Sequence, residues 1–331
     1  MGEKIRIGIA GYGNLGRGVE AAVSRTPDMS LVGVFTRREP SMVHPQSERT
    51  EVHAGDELAK FDSEIDVLIL CGGSKEDLPN QGPEMAARFN IVDSFDTHAR
   101  IPEYFTSVDG PARANDKTAV ISTGWDPGLF SLNRVFGESI LPTGDTYTFW
   151  GRGVSQGHSD AVRKVPGVAA GVQYTIPAQP AIDAVRSGER PELSTKDKHT
   201  RECFVVLEEG AEEDAVREAI VTMPHYFEPY DTTVHFITDE ELKRDHAGIP
   251  HGGFVIRSGE TGMGEAEDSQ VYEFSLKLGS NPGFTSSVLV AYARAAHRLS
   301  VQGQFGAKTV YDVAPGLLSP KSPERLRAED L

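Results

Sequence analysis

Between a short apolar run and a helix-compatible stretch, the chain reads Gly11-Tyr12-Gly13-Asn14-Leu15-Gly16. The spacing G-x-G-x-x-G in that setting leaves few folds open. Ile5, Ile7 and Ile9 predict a strand that ends at Gly11, the segment VEAAVSRT predicts a helix, and Leu31–Phe35 predicts the next strand. Gly11 permits the tight turn, Gly13 lets the backbone approach a pyrophosphate, and Gly16 lets helix and strand pack closely. The helix N-terminus adds unpaired N–H groups and the positive end of its dipole. Tyr12, Asn14 and Leu15 complete this cofactor-binding turn. A merely structural glycine turn is the plainer alternative; the lengths of strand, helix and second strand argue against it.

The alternation continues. Asp66–Cys71 is apolar on both faces, as a buried parallel strand requires, and Ile91–Asp93 and Ala119–Gly124 follow the helix-like stretches PEMAARF and PEYFTSVDGPARAND. Residues 1–122 therefore predict an α/β domain with a Rossmann-type doubly wound parallel sheet. After Trp125 the texture changes to longer β-type runs (TYTFWGRG, ECFVVLEE, TTVHFI, GGFVIRS, QVYEFSLKL) broken by Gly, Pro and acidic loops such as EEGAEED and GEAEDSQ. Residues 123–303 predict a second, α+β domain that ends in the helical stretch FTSSVLVAYARAAHRL, and residues 304–331 are expected to return to the first.

Composition excludes other classes. In 331 residues, 33 Lys and Arg face 49 Asp and Glu, a net charge of −16. Such a surface repels nucleic acid and anionic membranes, although a local basic pocket for a small anion stays possible. The 2 cysteines, Cys71 and Cys203, form no disulfide framework, and Cys203 sits in an apolar run that suits a buried thiol. The strand-like pattern begins within four residues of Met1, which leaves no room for a signal peptide, and no apolar run approaches a membrane span. The expected location is the cytoplasm. No H-E-x-x-H, Cys/His cluster or EF-hand loop is present, so no metal is implied.

The second predicted strand ends in Thr36-Arg37-Arg38, where an NAD site would carry an acid for the ribose hydroxyls. Two guanidiniums and a hydroxyl favour a 2′-phosphate, hence NADP, over the alternative of a solvated surface pair. Other strand ends should share the crevice: Cys71-Gly72-Gly73-Ser74, Asp93-Ser94-Phe95-Asp96, and Ser122-Thr123-Gly124-Trp125-Asp126. Asp93, Asp96 and Asp126 are thereby candidates for chemistry, although each taken singly could be a helix cap or turn former.

Beyond these features the chain resembles the meso-diaminopimelate dehydrogenase family nearly end to end. The resemblance is carried by GYGNLGR (11–17), VGVFTRR (32–38), STGWDPG (122–128), FWGRGVSQGHSDAVR (149–163), VQYT (172–175), RECFVV (201–206), MPHYF (223–227), IPHGG (249–253) and NPGFT (281–285). Gly72 and Arg152 depart from it, standing where Met and Pro are common. The resemblance implies NADP-dependent oxidative deamination at the D-centre of meso-2,6-diaminopimelate, and a homodimer through the second domain. It gives Asp93 and Asp126 to the reacting amine, with Trp125 as a wall and Asp96 behind them. Ser94, Phe95, Thr123 and Gly124 fall to the cofactor side. Arg201 would grip the distal carboxylate, with Trp150, Gln156, Gly157, Thr175, His251 and Asn281 around that end. Without the resemblance, Thr175, His251 and Asn281 carry ordinary strand and turn chemistry.

Three functions remain open at this level. The favoured one is the diaminopimelate reaction; another NADP-linked D-amino-acid or aspartate-type dehydrogenase keeps the fold and changes the substrate. A non-catalytic NADP-binding sensor would need no carboxylates beside the nicotinamide.

Overall fold

The computed structural model describes residues 3–224, 226–264 and 267–331. His225 of the MPHYF motif and Glu265 and Ala266 of the stretch GEAEDSQ lie outside the described residues. The chain divides into two compact units, residues 1–132 with 282–331, and residues 133–281.

In the first unit, β1 (Ile5–Ala10), β2 (Met29–Thr36), β3 (Val52–Ala54), β4 (Val67–Leu70), β5 (Ile91–Asp93) and β6 (Thr118–Val120) form one parallel sheet. β14 (Gly306–Lys308), numbered by its place in the chain, pairs with β6, giving the order β14-β6-β5-β4-β1-β2-β3. The sheet reverses direction of growth between β1 and β4, which is where such sheets bind nucleotides. Its strands are apolar on both faces because both are covered: Ile7, Ile9, Val67 and Ile69 enter one core cluster, and Ala10, Leu68 and Leu70 the other. The helices are α1 (Asn14–Ser24), α2 (Leu78–Ala86) and α3 (Ile101–Ala114), then α4 (Leu129–Ile140), inside which the unit ends. α1 buries Gly16, Val19, Glu20 and Val23, a helical stripe that holds one acid.

The second unit holds two sheets. β7 (Gly144–Trp150), β12 (His251–Thr261) and β13 (Asp268–Leu278) form an antiparallel set in the order β13-β12-β7. β8 (Gly153–Val154), β9 (Val168–Pro177), β10 (His199–Leu207) and β11 (Thr232–Phe236) form the other, in the order β11-β10-β9-β8. Its helices are α5 (Gln156–Arg163), α6 (Gln179–Arg186), α7 (Thr195–Lys198), α8 (Glu213–Val221) and α9 (Asp239–Asp245).

The change of texture at residue 122 precedes the end of the first unit, because the strand-end loop and the start of α4 pack with the Rossmann core. The long helix α10 (Asn281–Val301) also belongs to the first unit from Pro282 onward, where composition had placed it in the second. Its buried face, including Leu289, Tyr292, Ala293 and Ala296, completes the core over β1 and α1. α11 (Pro323–Glu329) closes the chain.

One cation fixes that packing. Arg294 is buried, and its Nε and Nη2 donate to the two carboxylate oxygens of Asp28 at 2.7 and 2.7 Å, while Nη1 donates to the Leu318 carbonyl at 2.7 Å. These bonds hold the Asp28 carboxyl below the usual range. A depressed folded-state pKa adds stability above the unfolded value and loses it as pH falls through the folded one. Arg294→Ala should therefore cost about 2–3 kcal/mol at neutral pH, the low side for a broken buried pair because Asp28 is partly exposed. Urea unfolding should show the gap to wild type narrowing below about pH 4.

Candidate active site

The first unit builds a nucleotide cradle. Gly13 precedes α1 and offers no side-chain cap, and the first turn of α1 carries no acid, so its N–H groups face outward. A Cβ on Gly16 would stand 2.3 Å from the Gly11 carbonyl oxygen, so only glycine lets turn and helix meet there. Asn14 is exposed, and Leu15 packs on the core. Tyr12 turns inward: its ring is buried, its hydroxyl donates to Glu20, and its carbonyl accepts from Arg38 Nη2 at 2.6 Å. Tyr12 thus serves the cradle through its backbone, not its ring. Glu20 also accepts from Gln46 N at 3.0 Å, Ser47 N at 3.1 Å and Thr50 Oγ1 at 2.7 Å, tying the segment after β2 to the glycine turn.

Two cavities open beside the turn. One of about 300 Å3 is lined by Gly11, Thr36, Arg37, Gly72 and Asp77 among others. A second, of about 400 Å3, is lined by Thr36, Arg37, Arg38 and the segment 54–56. Thr36 Oγ1 accepts from Arg38 N at 3.1 Å, which curls the strand end so that both arginines border the second cavity. Uncapped helix, glycine cradle and paired guanidiniums fit a dinucleotide with a 2′-phosphate. Cys71 is partly buried, and burial pushes its thiol far up; Gly72 and Gly73 continue the loop to Ser74.

The strand-end acids separate sharply. Asp93 is the last residue of β5 and is fully buried. Its Oδ1 accepts from Phe95 N at 2.9 Å and Ser122 N at 3.0 Å, and its Oδ2 accepts from the Tyr104 hydroxyl at 2.7 Å. Burial pushes its pKa above the ordinary range, against these donors. A carboxylate so enclosed has no face left for an amine, so the expectation that Asp93 meets the substrate is corrected. Phe95 is corrected likewise: its ring is buried and stacks on Tyr104 at 4.2 Å, leaving only backbone for a cofactor. Asp96, three residues on, is exposed, and its N–H donates to Ser74 Oγ at 2.7 Å, which anchors it beside the β4 loop. Ser94 lies between them, partly exposed. Thr123 is buried and bonds the Asp93 carbonyl through N at 2.9 Å and Oγ1 at 2.8 Å. Gly124 and Trp125 are buried, Trp125 edge-on to Phe130 at 5.2 Å, and Asp126 is half-buried at the tip. Asp96 and Asp126 are the carboxylates that the strand ends present outward.

The second unit assembles a separate polar cluster on one register row. Gly153 pairs with Thr175, Thr175 with Arg201, and Arg201 with Thr232 across β8, β9, β10 and β11. Arg201 is buried, Nη1 donates to Thr175 Oγ1, and Cζ lies 3.9 Å from the centre of the Tyr230 ring. Its Nε has no hydrogen-bond partner among the described residues. A buried unmatched donor of this kind costs about 1–3 kcal/mol, and a carboxylate satisfies it. His158 and His199 are both pushed down to about 4 by burial and then by the Arg201 charge. They stay neutral at physiological pH, so the guanidinium supplies the charge. His199 Nε2 accepts from Trp150 N at 2.8 Å, and the Trp150 indole stacks on the imidazole at 5.4 Å. His251 lies against Gly153, where a Cβ would come within 2.4 Å of its Cγ. Asn281 opens α10, with its N–H bonded to the Ile249 carbonyl at 2.8 Å. Gln156 and Gly157 are exposed at the start of α5, and the Ser155 hydroxyl before them bonds His158 Nδ1 at 2.8 Å. Cys203, two register rows further on, is fully buried with its thiol pushed up to about 12, chiefly by burial: a packing residue.

Comparison with known proteins places the whole chain. Residues 124–280 match the diaminopimelic acid dehydrogenase C-terminal domain. The meso-diaminopimelate D-dehydrogenase of Ureibacillus thermosphaericus is 64% identical over 98% of this chain and 99% of its own. The chain belongs to the meso-diaminopimelate dehydrogenase family. A six-fold substituted member from Clostridium tetani E88, solved with diaminopimelate, superposes with a TM-score of 0.92 at 53% identity, covering 99% of this chain and 100% of that one. An engineered D-amino acid dehydrogenase solved with NADP+ gives 0.84 at 43% identity, covering 99% and 100%. Membership makes the chain an oxidoreductase and sets aside the sensor reading. Among the described residues no helix is long and apolar enough to cross a membrane, and no group of three or more His, Cys, Asp or Glu is placed to hold a metal ion.

Sequence reading missed His199, Tyr230, Glu20 and Asp77. Strand alternation carried a signal for His199, since it lies two residues before Arg201 and so on the same face. A strand-end signal existed for Asp96: ligands sit beyond the last strand residue, and Asp93 is that residue.

The two acids should part in experiment. Asp93→Asn places amide hydrogens against donors and should lower stability by about 3 kcal/mol, read as a fall in melting temperature. Asp96→Asn should leave melting unchanged and reduce kcat about 10²-fold, in the range of positioned acid–base groups.

Proposed function

We propose that this protein catalyses NADP-dependent oxidative deamination of the D-centre of meso-2,6-diaminopimelate, releasing ammonia and L-2-amino-6-oxopimelate. The observation that carries this is the buried, incompletely bonded Arg201 on the row Gly153–Thr175–Arg201, a site built for a carboxylate remote from the reacting carbon. Near-full-length likeness to diaminopimelate dehydrogenases, one of them solved with diaminopimelate, supports the choice of substrate.

When bound, NADP supplies the hydride acceptor. Gly11, Gly13 and the first turn of α1 would hold its pyrophosphate, and Thr36, Arg37 and Arg38 its 2′-phosphate. The chain handles the proton. An ammonium cannot push electrons into a forming C=N bond until it loses a proton, and Asp96 and Asp126 orient it and accept that proton. Trp125 walls that side, and once the carbon is oxidised to an imine a water molecule adds to it and displaces ammonia, leaving the keto acid. Arg201 with Thr175 grips the L-configured carboxylate, and His251 and Asn281 take its amino group and remaining oxygen. Neutral His158 and His199 leave the guanidinium charge uncompensated until the substrate arrives, which favours a dicarboxylate over a monocarboxylate.

The protein works as a homodimer in the cytoplasm, without nucleic-acid or membrane partners, in lysine and cell-wall precursor supply. An exposed apolar stripe in the second unit, Val135, Phe136 and Ile140 on α4, supports a subunit contact there.

Meso, LL and DD diaminopimelate supplied separately with NADP test the reaction by absorbance at the NADPH band. The meso isomer should turn over fastest and the LL isomer, which lacks a D-centre, not at all; full activity with LL would break the assignment. Arg201→Ala should raise KM for diaminopimelate at least about tenfold with NADP affinity unchanged, since remote binding energy is what it supplies.

A further inference from the structure

The arginine that faces the 2′-phosphate cavity is already engaged. Arg37 Nη2 donates to Asp77 Oδ1 at 2.6 Å, and Asp77 Oδ2 accepts from Gly73 N at 2.7 Å. Asp77 stands just before α2, without a capping bond into that helix, so its carboxylate is turned back over the glycine loop that follows β4. The loop is shaped around it: a Cβ on Gly72 would lie 2.8 Å from Asp77 Cβ and 2.9 Å from Gln81 Oε1. Glycine at position 72 is the residue that lets Asp77 lie there. Asp77 and Arg37 line the first cavity together, and Arg37 alone of the two also lines the second.

Both two-pronged faces of a guanidinium run through Nη2, so a carboxylate on that nitrogen occupies one of the two grips a phosphate could use. Arg38 does not make up the difference, because its own Nη2 is bonded to the Tyr12 carbonyl. The Arg37 side chain is 82% exposed and Asp77 24%, which makes the pair weak and exchangeable.

We propose that Asp77 is a specificity-determining residue: an internal counter-ion that holds Arg37 until the 2′-phosphate of NADP displaces it, and so sets how strongly the protein prefers NADP over NAD. This rests on the reading that Arg37 binds the 2′-phosphate. Asp77 sits on Arg37 in place of the cofactor's own anion, so every NADP that binds must break or share that pair. NAD has no such anion and leaves it intact. Asp77 therefore lowers NADP affinity while leaving NAD affinity where it is, a trade that eases release of the phosphorylated cofactor.

The test is a double-mutant cycle read by calorimetric binding of NADP and NAD to wild type, Asp77→Asn, Arg37→Ala and the double variant. Asn keeps an acceptor for Gly73 N and removes the charge, and Asp77→Ser with a melting curve guards against a folding effect. Asp77→Asn should tighten NADP up to about fivefold, the range of an exposed ion pair, with NAD unchanged, and the gain should vanish on the Arg37→Ala background. Unchanged or weaker NADP binding in Asp77→Asn overturns the proposal, as does equal tightening of both cofactors or a gain that persists without Arg37. If Arg37→Ala alone leaves NADP binding unchanged, the reading of Arg37 as a phosphate ligand fails, and the proposal with it.

Discussion

A single buried carboxylate organises the reacting end of the first unit. Asp93 joins the end of β5 to α3 through Tyr104, and to the loop after β6 through Ser122 N, while Phe95 N closes its own turn. Burying a carboxyl group in the core is expensive, and three donors at 2.7–3.0 Å offset that cost. The same bonds fix where the chain can go next. With Asp93 pinned, the residues after it must emerge at the carboxyl edge of the sheet, and with Ser122 and Thr123 pinned, so must Gly124 to Asp126. Asp96 and Asp126, the acids proposed to carry the chemistry, are thus outward by consequence of an inward one.

Charge is distributed with similar economy. The chain carries 49 acids against 33 basic residues, yet arginines stand at both places proposed for a ligand's anionic group outside the glycine turn: Arg37 and Arg38 at the end of β2, Arg201 within β10. Arg201 is held buried against Tyr230 and Thr175 with two histidines kept neutral around it, so its field is spent on whatever carboxylate arrives. Arg37 is the opposite case, exposed and already paired with Asp77.

The Rossmann half was largely legible because each of its signals is local. The glycine spacing, the apolar runs of β1 and β4 and the basic end of β2 report on their own segments. The short β3, with none of its three residues buried, left no such trace. The helix from Pro282 belongs with the Rossmann unit because its buried face completes that core, and composition cannot report which core a helix covers. The site was legible by residue type more than by role. Arg201 and Thr175, named from the resemblance, sit on one register row; Asp93 is buried and Asp96 exposed because three residues carry the chain from the strand's last side chain to the surface beyond it. The counter-ion Asp77 and the anchor Glu20 were invisible, since each acts across a turn that only the folded chain closes.

The most direct test follows the hydrogen that leaves the substrate. Meso-diaminopimelate deuterated at the D-centre alone, and separately at the L-centre alone, would be incubated with the protein and NADP, and the NADPH formed weighed by mass spectrometry. Deuterium should enter NADPH from the D-labelled substrate and not from the L-labelled one. Transfer from the L-centre, or from neither, would contradict oxidation at the D-centre.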